Sequence, residues 1–409
     1  MDFGLEGFGE RAPLCRLLDH FSRIEDARPS HRVAYPLAEV LLLAVCGTIA
    51  DCDDYEAIAD WGEENLDFLK RLSPYHHGVP TGRWLTILMN RLNPSLFSAC
   101  FTAWVREIWP NQPDFIAIDG KMSRRSHDRA EDMPPLHLVS AFATTRKLVL
   151  AQEAVREKSN ELTAIPALLR RLGADDGLKG ALVSIDAIAC NATIAEAVRS
   201  AGADYLIAVK ANQPTLLGEF DLFFKDADPG ALDLVSHIDK GHGRIETRST
   251  AVARQTEWLD GKRRFPGEFR MPGAAAIIRV QSRAELKDRC RFETRYSISS
   301  RALSAEGAAQ ATRGHWAIEN GLHWVLDVDF HEDQSRLRKG HGAVNMAIVR
   351  HFAFNLAQSA DEPPRAPRPL AKPRANATQN PKKTSMRRRR KSAARNPTYL
   401  LKVLALHAR

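Results

Sequence analysis

Two aspartates stand at the ends of apolar runs. Phe115-Ile116-Ala117-Ile118 leads into Asp119-Gly120, and residues 181–185 lead into Asp186. In open sheets, ligands gather outside the carboxyl ends of strands. If the two runs are parallel neighbours, both carboxylates leave the sheet at one edge and lie side by side. Like charges that close are costly unless a cation sits between them. Hard carboxylate oxygens select magnesium, or manganese in its place, over zinc. Two such ions can activate a water or a 3′-hydroxyl and steady the leaving oxygen of a phosphodiester. Taken singly, each aspartate reads as well as a loop cap, since Asp-Gly is a common turn pair. Only the pair, in this order of elements, favours the chemistry.

A third carboxylate should come from a helix. Glu319, in Arg313-Gly314-His315-Trp316-Ala317-Ile318-Glu319-Asn320, shares a helical face with His315 and His323. Asp327, Asp329 and Glu246 compete with it, and the residues alone do not choose among the four. Lys121 and Arg124 follow the first aspartate and are placed to meet a phosphate, as are Lys210 and Gln213 after a later strand. A surface cation is the plain alternative for each. Lys158 and Asn160 are expected to shape a helix start. Trp316 and Trp324, eight residues apart, are expected in the core, with stacking on a flipped base as the functional alternative.

The elements that must position these groups can be read from periodicity. Residues 1–110 read as a helical domain. Asn93-Pro94 looks like an N-cap with proline in the first turn, and Phe97, Cys100, Phe101, Trp104, Val105 and Ile108 recur at steps of three and four. Strands are expected at 115–118, 136–143, 148–155, 181–185 and 205–209, with helices at 161–172, at 193–200 and from Pro214. That order, strand, strand, strand, helix, strand, helix, strand, helix, is that of an α/β RNase H-like mixed-sheet core. Its first part spans 111–235. A β-rich insertion follows at 236–300, with strands at 242–252, 274–281 and 292–299. C-terminal helices complete the core at 301–360, one running from 303 to 330 with a break near Gly314. Residues 361–409 read as a proline-rich linker and a basic tail, whose apolar end at 399–404 could dock back on the body.

Composition narrows the class. Of 409 residues 44% are hydrophobic, enough for a large core in two or three folded units. The longest apolar stretch, 37–50, is interrupted by Glu39 and too short to span a bilayer, so no membrane role is expected. The first eleven residues lack a secretory apolar region. Cys15, Cys46, Cys52, Cys100, Cys190 and Cys290 form no Cys-x-x-Cys pair, which argues against zinc and a disulfide scaffold and for a reducing cytoplasm. Residues 363–409 carry 14 Lys and Arg and no acid, so the rest of the chain has net charge −6 beneath an overall +8. A basic tail holding Arg387, Arg388, Arg389, Arg390 and Lys391 suits a polyanion such as DNA, with a solvated disordered end as the bland alternative.

Eight stretches, in order, carry a family resemblance: 35–44, Ile118-Asp119-Gly120-Lys121, 136–142, 157–161, Ile185-Asp186-Ala187, Lys210-Ala211-Asn212-Gln213-Pro214, 242–248, and 313–320 continuing through 323–327. By these the chain resembles the H-repeat-associated (ISAs-type) transposases, a branch of the Asp-Asp-Glu transposases with an RNase H-like core. The resemblance covers roughly residues 30–355 and the Arg-rich tail. It implies that Asp119 and Asp186 are the first two metal ligands and Glu319 the third. The superfamily's Tyr-x-x-Arg-x-x-x-Glu-x-x-x-x-x-x-Lys signature is incomplete: Thr312, His315 and Leu326 stand at its Tyr, Arg and Lys positions, and Arg313 is a candidate replacement for the arginine. Residues 81–84 also depart from the relatives' Ser-x-Asp-Thr pattern.

The activity implied is binding of an element's inverted-repeat ends, metal-dependent strand cleavage and transfer into target DNA, with two ions and a homodimer at work in the bacterial cytoplasm, nucleoid-associated when on DNA. An RNase H-like nuclease without strand transfer and a non-catalytic DNA-binding remnant of a dead element are the alternatives.

Overall fold

The structure, a computed structural model, describes residues 13–110, 115–127, 134–155, 161–241, 244–260, 265, 268–286, 289–364 and 384–405. The chain divides into two compact units, a helical one (Met1–Pro110, Ser123–Leu136, Trp324–Arg409) and a sheet-based one (Asn111–Met122, His137–His323). The helical unit begins with α1 (Pro13–Ser22), α2 (Leu37–Ile49), α3 (Tyr55–Glu64), α4 (Leu66–Leu69), α5 (Gly82–Arg91) and α6 (Pro94–Ile108). The expected caps are there. Asn93 accepts from the Ser95 amide ahead of Pro94, and Thr81 accepts from the Trp84 amide, so the 81–84 departure still starts a helix. The apolar run at 37–50 is a helix buried nearly all round, and its one acid, Glu39, accepts from the Tyr75 amide and the Ser73 hydroxyl.

The sheet-based unit is built on β1 (Phe115–Met122), β2 (His137–Ala143), β3 (Leu148–Val155), β4 (Leu182–Ile185), β5 (Asp204–Val209), β6 (Asp233–Gly241), β7 (Arg244–Ala253), β8 (Ala276–Glu285) and β9 (Cys290–Ser299). They form one nine-stranded sheet, ordered β3-β2-β1-β4-β5-β9-β8-β7-β6. β1, β4 and β5 are parallel, β2 and β3 antiparallel, giving the RNase H-like core order with helices α7 (Glu161–Gly173), α8 (Ala192–Ser200), α9 (Pro214–Asp226) and α10 (Ala305–His315).

One expectation needs correction here. The β-rich stretch continues the sheet, because β9 adds antiparallel to β5 through Leu206↔Ser299 to Val209↔Tyr296. It also begins earlier than its clear strand signals, with β6 as the sheet's edge. The helix expected from 303 to 330 has its expected break near Gly314: α10 ends at His315, a turn follows at Trp316, and Glu319–His323 forms a π-helical turn.

The chain returns to the helical unit with α11 (Trp324–Val328), α12 (Gly342–Ser359), α13 (Met386–Arg395) and α14 (Pro397–Ala405). Phe352 of α12 centres an aromatic core, with ring centroids 4.9 Å from Phe101 and Trp104 and 5.2 Å from Phe21. The apolar end docks as expected, with Tyr399, Leu400, Val403 and Leu404 buried. Most of the expected linker, 365–383, lies outside the described residues.

The basic cluster is not uniformly solvated, which corrects the expectation for two of its members. Arg389 is buried and donates to the carbonyls of Ala357, Ala360 and Asp361. Arg390 is fully buried, donates to the carbonyls of Thr48, Cys52 and Asp329, pairs with Asp53, and lies 4.3 Å from the Phe330 ring centroid. Guanidiniums so enclosed hold the fold and do not reach a polyanion.

Candidate functional site

Parallel pairing of β1 and β4 runs from Phe115↔Leu182 to Ile118↔Ile185 and stops. The next residues on the two strands are Asp119 and Asp186. β4 ends there, whereas β1 goes on for three residues against β2, with Asp119 opposite Ser140. Asp119 is therefore within its strand, and Asp-Gly here is no turn. Gly120 has a different reason to be glycine. A Cβ on it would meet the Glu161 carboxylate and lie 2.6 Å from His137 Nε2. Those two side chains are buried together, Nε2 and Oε1 2.5 Å apart. Gly120→Ala must displace the pair, and we expect a loss of about 1–3 kcal/mol, read as a lower denaturation midpoint.

Glu319 reaches the same cavity from the π-helical turn, a conformation frequent at functional sites. Its approach is set by Gly314, where a Cβ would come within 2.8 Å of the Phe115 ring, so α10 can lie close on β1 only with glycine there. The cavity, about 750 Å³, is lined by Asp119, Asp186, Glu319, Lys210, His315 and Trp316 among others.

Burial pushes the Asp119 carboxyl up to about 7, reinforced by Asp186, Glu319 and Glu161 and opposed by its bond to the Gly120 backbone. Burial also raises Glu319, with Asp186 adding to it. Asp186 goes the other way. Burial would raise it, but Lys210 Nζ, 2.7 Å from Oδ1, and the Ala187 backbone together bring it below the usual range. His315 Nδ1 sits 2.5 Å from Ser184 Oγ, and burial lowers its pKa. His323 Nδ1 lies 3.6 Å from Asp119 Oδ2.

The competitors for the third carboxylate separate physically. Glu246 lines the cavity but is held by Arg248 at 2.6 Å and Arg244 at 3.3 Å, whereas Glu319 faces another carboxylate. Asp327 and Asp329 belong to the helical unit. The donor set suits a divalent ion in kind: hard oxygens, with a buried acid whose charge the site leaves costly. Among the described residues no three His, Cys, Asp or Glu side chains form a ready-made metal-binding group; Lys210 pairs with Asp186.

Other expected residues distribute unevenly. Arg313 lines the cavity and pairs with Asp239 at 2.9 Å. Lys121 is half-buried on β1. Gln213 donates to the Cys190 carbonyl and so braces the loop after β4. Arg124 belongs to the helical unit, where it pairs with Asp333. Lys158 and Asn160 lie outside the described residues. Trp316 and Trp324, expected in the core, are 37% and 55% exposed, and Arg295 lies 4.6 Å over the Trp316 ring. Sequence reasoning missed the Glu161–His137 pair and Ser184. Glu161 and His137 gave no signal beyond lying in motif stretches of unassigned role, and Ser184 was read only as part of the strand leading into Asp186.

Residues 110–356 match the Transposase DDE domain family, and 18–105 match the DDE_Tnp_1-associated family. The chain is 35% identical over 398 residues to "H repeat-associated putative transposase YhhI" of Escherichia coli (strain K12), covering 96% of this chain and 98% of that protein. It is 37% identical over 67 residues, 16% of this chain and 80% of the relative, to "Inactive transposase YbfQ" of the same organism. Among solved structures, a piggyBac transposase synaptic complex with hairpin DNA aligns at 10% identity and TM-score 0.39, over 95% of this chain and 78% of that one, too slight a likeness to add to the fold. No helix among the described residues is long and apolar enough to cross a membrane. With an RNase H-like sheet, two strand aspartates at one edge and a family match over most of its length, the chain belongs to the DDE-domain transposases.

Proposed function

We propose that this chain binds the inverted-repeat ends of an insertion element, cleaves DNA strands there and transfers them to target DNA, with Asp119, Asp186 and Glu319 holding two magnesium ions, or manganese in their place. The observation that carries this reading is the meeting of three carboxylates from three separate elements around one cavity, one of them raised to about 7 by burial and its acidic neighbours. When bound, the ions would supply activation of a water or 3′-hydroxyl and steady the leaving oxygen. The chain's own groups do the rest. Asp119 and Asp186 present oxygens from adjacent strand registers, and Glu319 faces them from the π-helical turn. Lys210 neutralises Asp186 in the metal-free protein, and once released from that carboxylate it can meet a phosphate oxygen. His315, whose pKa burial lowers, holds Ser184 and the helix end in place. Joining two element ends calls for two copies of the chain, acting where bacterial DNA lies, in the cytoplasm.

The test uses Asp119→Asn and Asp186→Asn proteins with DNA carrying the element's own ends and magnesium or manganese. We expect cleavage to fall on the order of a thousandfold in each, as loss of several kcal/mol of charge stabilisation requires. Undiminished cleavage in both would overturn the assignment. The incomplete signature around Glu319 makes a second readout worthwhile. Cleavage without joining supports the nuclease reading, and DNA binding without metal-dependent cleavage supports the remnant.

A further inference from the structure

We infer that the exposed face of α13 is a binding site for the phosphate backbone of duplex DNA, and that the expected basic cluster divides into anchors and readers. The anchors are Met386, Arg389, Arg390 and Ala393, buried at helical spacing. The opposite face exposes Arg387, Arg388, Lys391 and Arg395, which with Ser385 and Ser392 line an open cavity of about 550 Å³. Glu362, the nearest acid in sequence, is taken by Arg389. Among the described residues none is ion-paired with Arg388, Lys391 or Arg395, and 384–405 contains no acid.

This face works against its own helix. Arg387 and Arg388 stand in the first turn, where the helix dipole disfavours cations, and Arg388/Lys391 and Lys391/Arg395 are like charges at spacings that repel. The folded tail holds them there because Arg390 and Arg389 are fixed in the body. A bound polyanion relieves both conflicts. From Arg388 to Arg395 the helix rises roughly 10 Å, which equals the axial rise of about three base pairs of duplex and so keeps all three cations on one stretch of backbone. Charge without base-edge geometry fits backbone contact, which positions DNA and does not read its sequence. DNA is chosen as the polyanion on the proposed function; the site itself does not depend on the carboxylate cavity.

The experiment measures binding of the full chain to a duplex of unrelated sequence in chelator, so that no catalysis enters, across a range of salt. Arg388→Gln/Lys391→Gln/Arg395→Gln is expected to lessen the slope of log affinity against log salt by about 2.7 and to weaken binding roughly a hundredfold at physiological salt. Its melting temperature should not fall, and should rise slightly as the repulsion along the exposed face is removed. Arg388→Lys/Arg395→Lys, which keeps the charges, should retain most of the slope. An unchanged slope and affinity in the triple variant would overturn the inference, as would tighter binding to duplex RNA than to DNA. Loss of cleavage in Asp119→Asn with this slope intact separates the two proposals.

Discussion

Arg390→Met will destabilise the helical unit by about 3–5 kcal/mol, more than any other single change in the basic cluster. The reason is what the guanidinium leaves behind. Its donors serve three buried carbonyls, of Thr48, Cys52 and Asp329, and its charge faces Asp51 at 3.4 Å and Asp53 at 2.9 Å. Methionine fills the volume over Phe330 but satisfies none of these acceptors, each of which costs about 1–3 kcal/mol when orphaned away from water. The two aspartates soften the loss, being about a third exposed and able to recover hydration. Lysine will not rescue it, because an ammonium lacks the planar fork that meets carbonyls and carboxylates in several directions. Denaturant midpoints of Arg390→Met and Arg388→Met give the comparison. Arg388 is an exposed neighbour whose loss should move stability by no more than about 0.5 kcal/mol. Equal midpoints would remove Arg390 from the fold and return it to the surface.

The contrast between Arg388 and Arg390 marks where sequence reading runs out. Five consecutive cations look alike by composition, and only helical spacing over 386–393, combined with knowledge of what the helix packs on, separates a buried guanidinium from a solvated one. The core strands were legible because apolar runs at 115–118 and 181–185 are too short and too β-like for helices, and their order implied parallel neighbours. The last part of β1 was not, since Asp119-Gly120-Lys121-Met122 is polar and is held as strand by pairing with β2, fifteen residues or more away in sequence. β6 escaped for a related reason. As the edge of the sheet it exposes Leu234 and Ile238 and buries little. In the site, the two aspartates were legible from strand position. Glu319 rested on resemblance, and the structure adds that it lines the cavity while Glu246 is held by arginines. The Glu161–His137 pair could not be found from spacing, because its geometry is set by a missing Cβ at Gly120.

Asp119→Asn will make the metal-free protein more stable at pH 8 while removing the activity proposed for it. The Asp119 carboxyl has an ordinary value of 3.8 and stands at about 7 in the fold, because it is buried and faces Asp186, Glu319 and Glu161. Between those values the folded chain holds a proton that the unfolded chain has released. The stabilising contribution of that proton is fully present below about pH 4 and is lost as pH rises through 7, so wild-type stability in chelator should decline over this range. At 1.36 kcal/mol per pH unit the span amounts to on the order of 4 kcal/mol. Asparagine keeps an oxygen for the Gly120 backbone and carries no charge, so the variant should gain nearly all of this at pH 8 and about 1.6 kcal/mol at pH 5, where the span has only begun. A divalent ion supplies the same relief to the wild type: at a hundred times its dissociation constant it should add about 2.7 kcal/mol, and the variant should respond less. Denaturation at the two pH values, in chelator and in manganese, distinguishes these outcomes. If the variant is no more stable than wild type at pH 8 without metal, the carboxylates do not crowd one another, and the physical case for a cation among them fails with it.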